Sequence, residues 1–134
     1  MKFIKSFTVL FALMLFGCAP KGHLEWLDGA WILDGDLTIK EHTGSELPEL
    51  VLKAINSSSD EMAFVFKGNK TTYTPIDSVE EQETWFKWKL IEDSENSLLI
   101  ELPKGKRLRF FKFEQCIGLL VDAYSYTEYY CKAR

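Results

Sequence analysis

Apolar and polar positions along this chain follow three rhythms, and each predicts a different kind of element. The first is an unbroken apolar run. Phe7 to Phe16 spans ten residues, with Thr8 the only polar one. At ~1.5 Å rise per residue this is roughly 15 Å of helix, about half of a hydrocarbon core, so it is too short to span a bilayer. The second rhythm is helical. Leu47, Leu50, Val51, Ala54 and Ile55 fall on one stripe, with Glu46, Glu49 and Lys53 off it. The spacing predicts one amphipathic helix. Ser45 is its expected N-cap and Pro48 is accommodated in the first turn; Asn56 and the serines Ser57, Ser58 and Ser59 end it.

The third rhythm is alternation, and it covers most of the remaining chain. Trp31 to Lys40 reads as a first strand. Met62, Phe64 and Phe66 alternate with Ala63 and Val65 before Lys67-Gly68-Asn69-Lys70, a tight-turn signal. A two-residue Gly68-Asn69 loop would set Phe66 opposite Thr71 and Phe64 opposite Tyr73. Phe86, Trp88 and Leu90 alternate with Trp85, Lys87 and Lys89. Leu98, Ile100 and Leu102 precede Pro103-Lys104-Gly105-Lys106, and three further segments follow: Leu108–Phe113, Ile117–Val121 and Tyr126–Cys131. The expected fold is mainly β: an antiparallel up-and-down barrel or sandwich of seven to eight strands, with one short amphipathic helix after the first strand. Phe64, Phe66, Tyr73, Phe86, Trp88 and Phe110 carry enough bulk to fill a small barrel. A filled interior would leave function to the rim and outer face.

Composition narrows the partners. The chain has 134 residues, 46% hydrophobic and 27% charged, with 16 Lys+Arg against 20 Asp+Glu. It is too apolar to stay disordered and too short for two ordinary domains. A net charge of −4 argues against a broad phosphate-binding surface, so nucleic acid is not an expected partner.

The N-terminal run has the layout of an export signal. Lys2 and Lys5 form a basic start, and the apolar core leads into Leu15-Phe16-Gly17-Cys18. This resembles the bacterial lipobox, with Leu three residues before Cys and a small residue directly before it. The resemblance implies diacylglyceryl transfer to the Cys18 thiol, cleavage after Gly17 and acylation of the new amino terminus. It also implies attachment to a membrane through acyl chains, for which more than one chain is needed. Ala19 after Cys18, rather than Asp, leans toward the outer membrane, facing the periplasm of a bacterial envelope. The resulting organisation is a lipoprotein signal peptide at 1–17, a lipidated tether at 18–23 and a β domain at 24–134.

A second resemblance lies in the β domain. Gly29-Ala30-Trp31 follows Leu24-Glu25-Trp26-Leu27-Asp28 and opens the first strand. This is similar to the Gly-x-Trp opening of lipocalins and small bacterial lipocalin-like lipoproteins, in which the Trp closes one end of an up-and-down barrel. The segments 64–73 and 84–88 resemble that family's middle strands. The resemblance covers most of the mature chain in strand rhythm, and Arg107, Arg109 and Arg134 are the candidate basic partners of Trp31.

Signatures of catalysis are missing from the sequence. His23 and His42 lack companions at metal-ligand spacing. There is no Gly-rich phosphate loop and no Gly-x-Ser-x-Gly elbow, so neither an enzyme, a cofactor nor a metal is expected. Glu80, Glu81 and Glu83 read as a solvated loop. Two surface features remain. Lys104, Lys106, Arg107, Arg109 and Lys112 gather around one hairpin of an acidic protein. They would dock on an anionic envelope component or an acidic protein partner, or simply be the charged tip of a soluble hairpin. Trp85 shares a strand face with Lys87 and Lys89. It would anchor a partner if exposed, as in a periplasmic inhibitor or immunity-type lipoprotein, or be shielded by the 80–83 loop.

Of the three cysteines, lipidation of Cys18 would leave Cys116 and Cys131 as an even pair in an oxidising compartment. A hairpin centred between Ala123 and Tyr124 sets them opposite each other. A two-residue Ala123-Tyr124 loop lacks the Gly or Asn that tight turns favour, whereas a four-residue Asp122–Ser125 loop suits a type I turn. With the longer loop, Cys116 and Cys131 form a non-hydrogen-bonded pair with Cα atoms ~4.5 Å apart, which a disulfide can bridge.

Overall fold

A computed structural model describes residues 24–133. The expected signal peptide at 1–17, the expected lipidation site Cys18 with its tether to His23, and Arg134 lie outside the described residues. Nine antiparallel strands form one sheet in the order β4-β3-β2-β1-β9-β8-β7-β6-β5, a nearly closed barrel accompanied by two helices. The strands are β1 (Gly29–Leu33), β2 (Met62–Lys67), β3 (Lys70–Pro75), β4 (Phe86–Lys87), β5 (Lys89–Asp93), β6 (Ser97–Glu101), β7 (Arg107–Phe113), β8 (Cys116–Val121) and β9 (Tyr126–Lys132). Only Trp88 separates β4 from β5. They are two halves of one strand, the first pairing with β3 and the second with β6. The expected count of seven to eight strands therefore becomes nine segments, because this strand changes partner at Trp88.

The short turns keep the predicted registers. Phe66 faces Thr71 and Phe64 faces Tyr73 across the Gly68-Asn69 loop. Gly68 has φ +61°, while Asn69 is not among the residues of positive φ; this pattern marks a type II′ turn, which wants Gly first. At the last hairpin Val121 faces Tyr126 and Cys116 faces Cys131. The loop is the four-residue one, with Ser125 in the left-handed region at φ 52° closing it. Cys116 and Cys131 are disulfide-bonded, with Cα atoms 4.2 Å apart.

The connection after β1 departs from expectation. The first strand stops at Leu33 instead of Lys40, because Asp34 caps a helix: its carboxylate accepts from the Leu37 amide at 3.0 Å. Helix α1 runs Gly35–Lys40. Its Thr38 is fully buried, donating to the Asp34 carbonyl and accepting from the Tyr129 amide, so α1 is tied to β9. Helix α2 runs Glu49–Ser58. Pro48, not Ser45, occupies the N-cap position, and the helix continues past Asn56 through Ser57 and Ser58. Val51 and Ile55 face inward and, with Leu47, pack on Tyr126. Leu50, on the predicted stripe, is 80% exposed, because a helix lying along a barrel rim buries a narrower stripe than one laid on a sheet.

Connections alternate between the two ends of a meander. The 68–69, 94–96 and 114–115 turns share one end with Leu24–Asp28. Helices α1 and α2, the 76–85 segment, the 102–106 turn and the 122–125 turn share the other. At the first end the interior is filled. Leu27, Trp31, Phe66, Trp88, Ile100 and Phe110 are all buried in one core cluster. Trp31 donates to the Leu27 carbonyl at 2.7 Å. Among the described residues the cation over its ring, 4.7 Å from the centroid, is Lys132 and not Arg107 or Arg109. Lys132 also donates to the Asp28 carbonyl, and Asp28 accepts from the Gly68 amide at 3.1 Å. These bonds fasten the start of the domain to its last strand and to the 68–69 turn.

A candidate binding cup with an internal carboxylate

At the opposite end the barrel is open. Phe64, Tyr73, Phe86, Leu102, Leu108 and Leu119 line a cavity of about 570 Å³, with Glu128 and Tyr130 in its wall and Lys104 and Lys106 at its mouth. The expectation of a filled interior thus holds for only half of the barrel. Phe66, Trp88 and Phe110 plug one end, whereas Tyr73 and Phe86, 43% and 46% exposed, stand around the hollow. The cause is geometric. Alternation puts Phe64, Tyr73 and Phe86 on the inner face, but β3 and β4 pair over only two positions, Lys70 with Lys87 and Thr71 with Phe86. The two strands then splay apart, and the rings line a gap instead of interlocking.

Glu128 is the polar feature of the cup. Tyr126, Glu128 and Tyr130 alternate along β9 and point inward together. The Tyr126 hydroxyl donates to Glu128 Oε2 and the Tyr130 hydroxyl donates to Oε1, each at 2.9 Å. Burial pushes the Tyr130 phenol far above the ordinary range, and the Glu128 charge pushes it further. Tyr126 is raised for the same reasons in the same order. Tyr73, whose ring centroid lies 6.3 Å from that of Tyr130, is raised chiefly by burial. These phenols therefore stay protonated, and Glu128 accepts from two of them. A carboxylate offers about four acceptor positions, so two bound phenols leave capacity facing the cup. The sequence carried a signal for this site: the register that pairs Cys116 with Cys131 also pairs Glu128 with the inward Leu119.

The residues expected to form a partner surface have different partners in the fold. Arg107 donates to Glu101 of the neighbouring β6 at 3.1 Å, and Arg109 reaches across β6, over Leu99, to Glu92 of β5 at 2.9 Å. Lys112 lies over the Trp26 ring, 4.4 Å from its centroid. Lys104 and Lys106 sit on the 102–106 turn at the cup mouth, without a carboxylate partner among the described residues. Trp85 is half-buried; its indole donates to the Gln82 carbonyl at 3.0 Å, and Lys67 lies over its ring. It is thus folded against the 80–83 loop. His42 contacts the Ser45 carbonyl at 2.7 Å. Among the described residues no group of three or more His, Cys, Asp or Glu is placed to hold a metal ion.

A second hollow, of about 510 Å³, lies at the filled end between Leu24, Asp28, Asn69, Trp88 and Leu90. Trp88 Nε1 is buried without a hydrogen-bond partner among the described residues. Compared with known proteins, the chain matches no protein-family model, no curated protein and no solved structure.

Proposed function

We propose that this chain is a lipid-anchored protein of a bacterial envelope, with a lipocalin-like barrel that binds a small, largely apolar molecule in its open cup. The observation that carries the reading is the cup itself. Its volume falls within the range of small-molecule sites, its wall is mostly apolar and aromatic, and a few polar groups converge on it. The anchoring half of the proposal comes from the lipobox-like run ending at Cys18. The two halves are compatible in geometry. The domain's first described residues sit at the filled end, so an anchor attached there leaves the cup mouth at the far end, open to solutes.

Titration of the purified full chain in detergent-free buffer with phenylnaphthylamine, a neutral apolar dye that brightens on leaving water, tests the cup. Saturable brightening is expected. Leu119→Trp, which fills the cup from β8, should abolish it while the protein remains folded by circular dichroism. Dye binding unchanged by Leu119→Trp, or no saturable binding by the wild type, overturns the proposal.

A further inference from the structure

Resting on the cup as a ligand site, we infer that its ligand is an amine: an apolar body bearing an ammonium group that enters first and pairs with Glu128. The cup wall is otherwise apolar and aromatic, and an apolar pocket alone would hold any ligand of suitable shape. Glu128 breaks that indifference. It is half-buried in the cavity wall, and both of its oxygens already accept from Tyr126 and Tyr130. Those two bonds fix the carboxylate in one orientation, so a ligand need not order it. The phenols supply donors but no cation. The group facing the remaining lone pairs must therefore be a donor, and a charged donor bonds a carboxylate more strongly than a neutral one.

The surroundings favour the same choice. Phe64 stands with its ring centroid 5.1 Å from that of Tyr130 and 4.7 Å from that of Tyr73, so the phenol that binds the carboxylate belongs to an aromatic cluster in the cup wall. Aromatic faces attract cations. A ligand carboxylate in the same place would meet Glu128 as a like charge in a partly desolvated site. The rim sets the direction of entry. Lys104 and Lys106 at the mouth repel an ammonium that stops there, so the amine end is stable only inside, and any negative group on the ligand belongs at the outer end.

The test uses hexylamine, hexanol and hexanoate, which share one chain and differ in head group. Calorimetric titration of the purified full chain should show hexylamine binding roughly tenfold or more tighter than hexanol, with hexanoate weakest. In Glu128→Gln, which keeps the shape and an acceptor oxygen, the amine's advantage over the alcohol should fall to about onefold while hexanol binding persists. The wild-type series reads the preference even if that variant fails to fold. Hexanol and hexylamine binding the wild type equally overturns the amine inference and leaves the cup standing. A preference that survives Glu128→Gln overturns the role of Glu128. If none of the three binds, both the inference and the ligand-site reading fall.

Discussion

Gly118 shows how one residue on the outer face organises three strands. It lies between Phe111 of β7 and Tyr129 of β9, and those rings meet over it with centroids 6.2 Å apart. A Cβ at Gly118 would come within 2.4 Å of the Phe111 ring. Gly118→Ala should therefore cost roughly 1–3 kcal/mol in a denaturant melt, from overpacking. The cost should shrink in a Phe111→Leu background, and equal costs in both backgrounds would show that the ring is not the obstacle. Four tyrosines, three facing the interior and Tyr129 on the outer face, set a pH limit by a different route. Tyr73, Tyr126, Tyr129 and Tyr130 are all raised above the ordinary 10.0, burial being the first cause in each. Below that pH both folded and unfolded phenols are protonated, and their contribution to stability is constant. Above it the unfolded chain releases protons that the folded chain retains, so stability falls as pH rises. The melting temperature should drop once the pH passes about 10, and Tyr130→Phe should flatten the drop. A steady melting temperature well into the phenolate range would contradict the burial of these groups.

At the scale of elements, α2 and the last hairpin carry separable loads. Ile55 is 1% exposed against Tyr126, whereas Leu50 on the same helix faces solvent. Ile55→Ala should cost about 2–5 kcal/mol and Leu50→Ala no more than about 0.5 kcal/mol, read from thermal or denaturant unfolding. Similar costs would mean that α2 packs on another face. The Cys116–Cys131 bridge spans a sequence separation of 15, for which the chain-entropy treatment gives roughly 3 kcal/mol. Its position magnifies the effect, since β9 is a central strand that joins β1 to β8 and so closes the barrel. Replacing both cysteines with serine should lower the unfolding midpoint by that order. Free alkylation of both thiols in unreduced protein would show that the bridge does not form in the cell.

For the whole molecule, the proposed lipidation of Cys18 would determine where the cup is held. Cys18→Ser should abolish acyl labelling and release the protein from the membrane fraction. A variant that is still acylated and sedimenting would remove the anchor from the proposal without touching the cup. Such an anchor would hold the domain through Leu24, at the end opposite the cup mouth. A ligand would then reach Glu128 from solution past Lys104 and Lys106, a different route from lateral entry out of a bilayer.

Local chemistry determined by itself what depends on neighbours in sequence. The alternation of Phe64 and Phe66, the Gly68-Asn69 turn and the paired spacing of Cys116 and Cys131 about one loop specify registers without reference to the rest of the chain. The first strand ends earlier than its alternation suggests, because Leu37 and Ile39 can alternate as easily as they can lie on a helix. The competing signal was Asp34, whose cap became effective only with Thr38 buried on Tyr129. Tertiary structure alone decided which inward side chains would meet. Alternation sends Phe64, Tyr73 and Phe86 inside along with Phe66 and Phe110, and nothing local distinguishes them. Whether they interlock or line a hollow depends on where the strand bearing Trp88 leaves β3 for β6, a consequence of closing the whole sheet. Glu128 has the same history. Its parity was legible, but an inward carboxylate is tolerable only because closure leaves an opening beside it and sets two phenols on its oxygens, since a charge buried without partners would cost too much to keep.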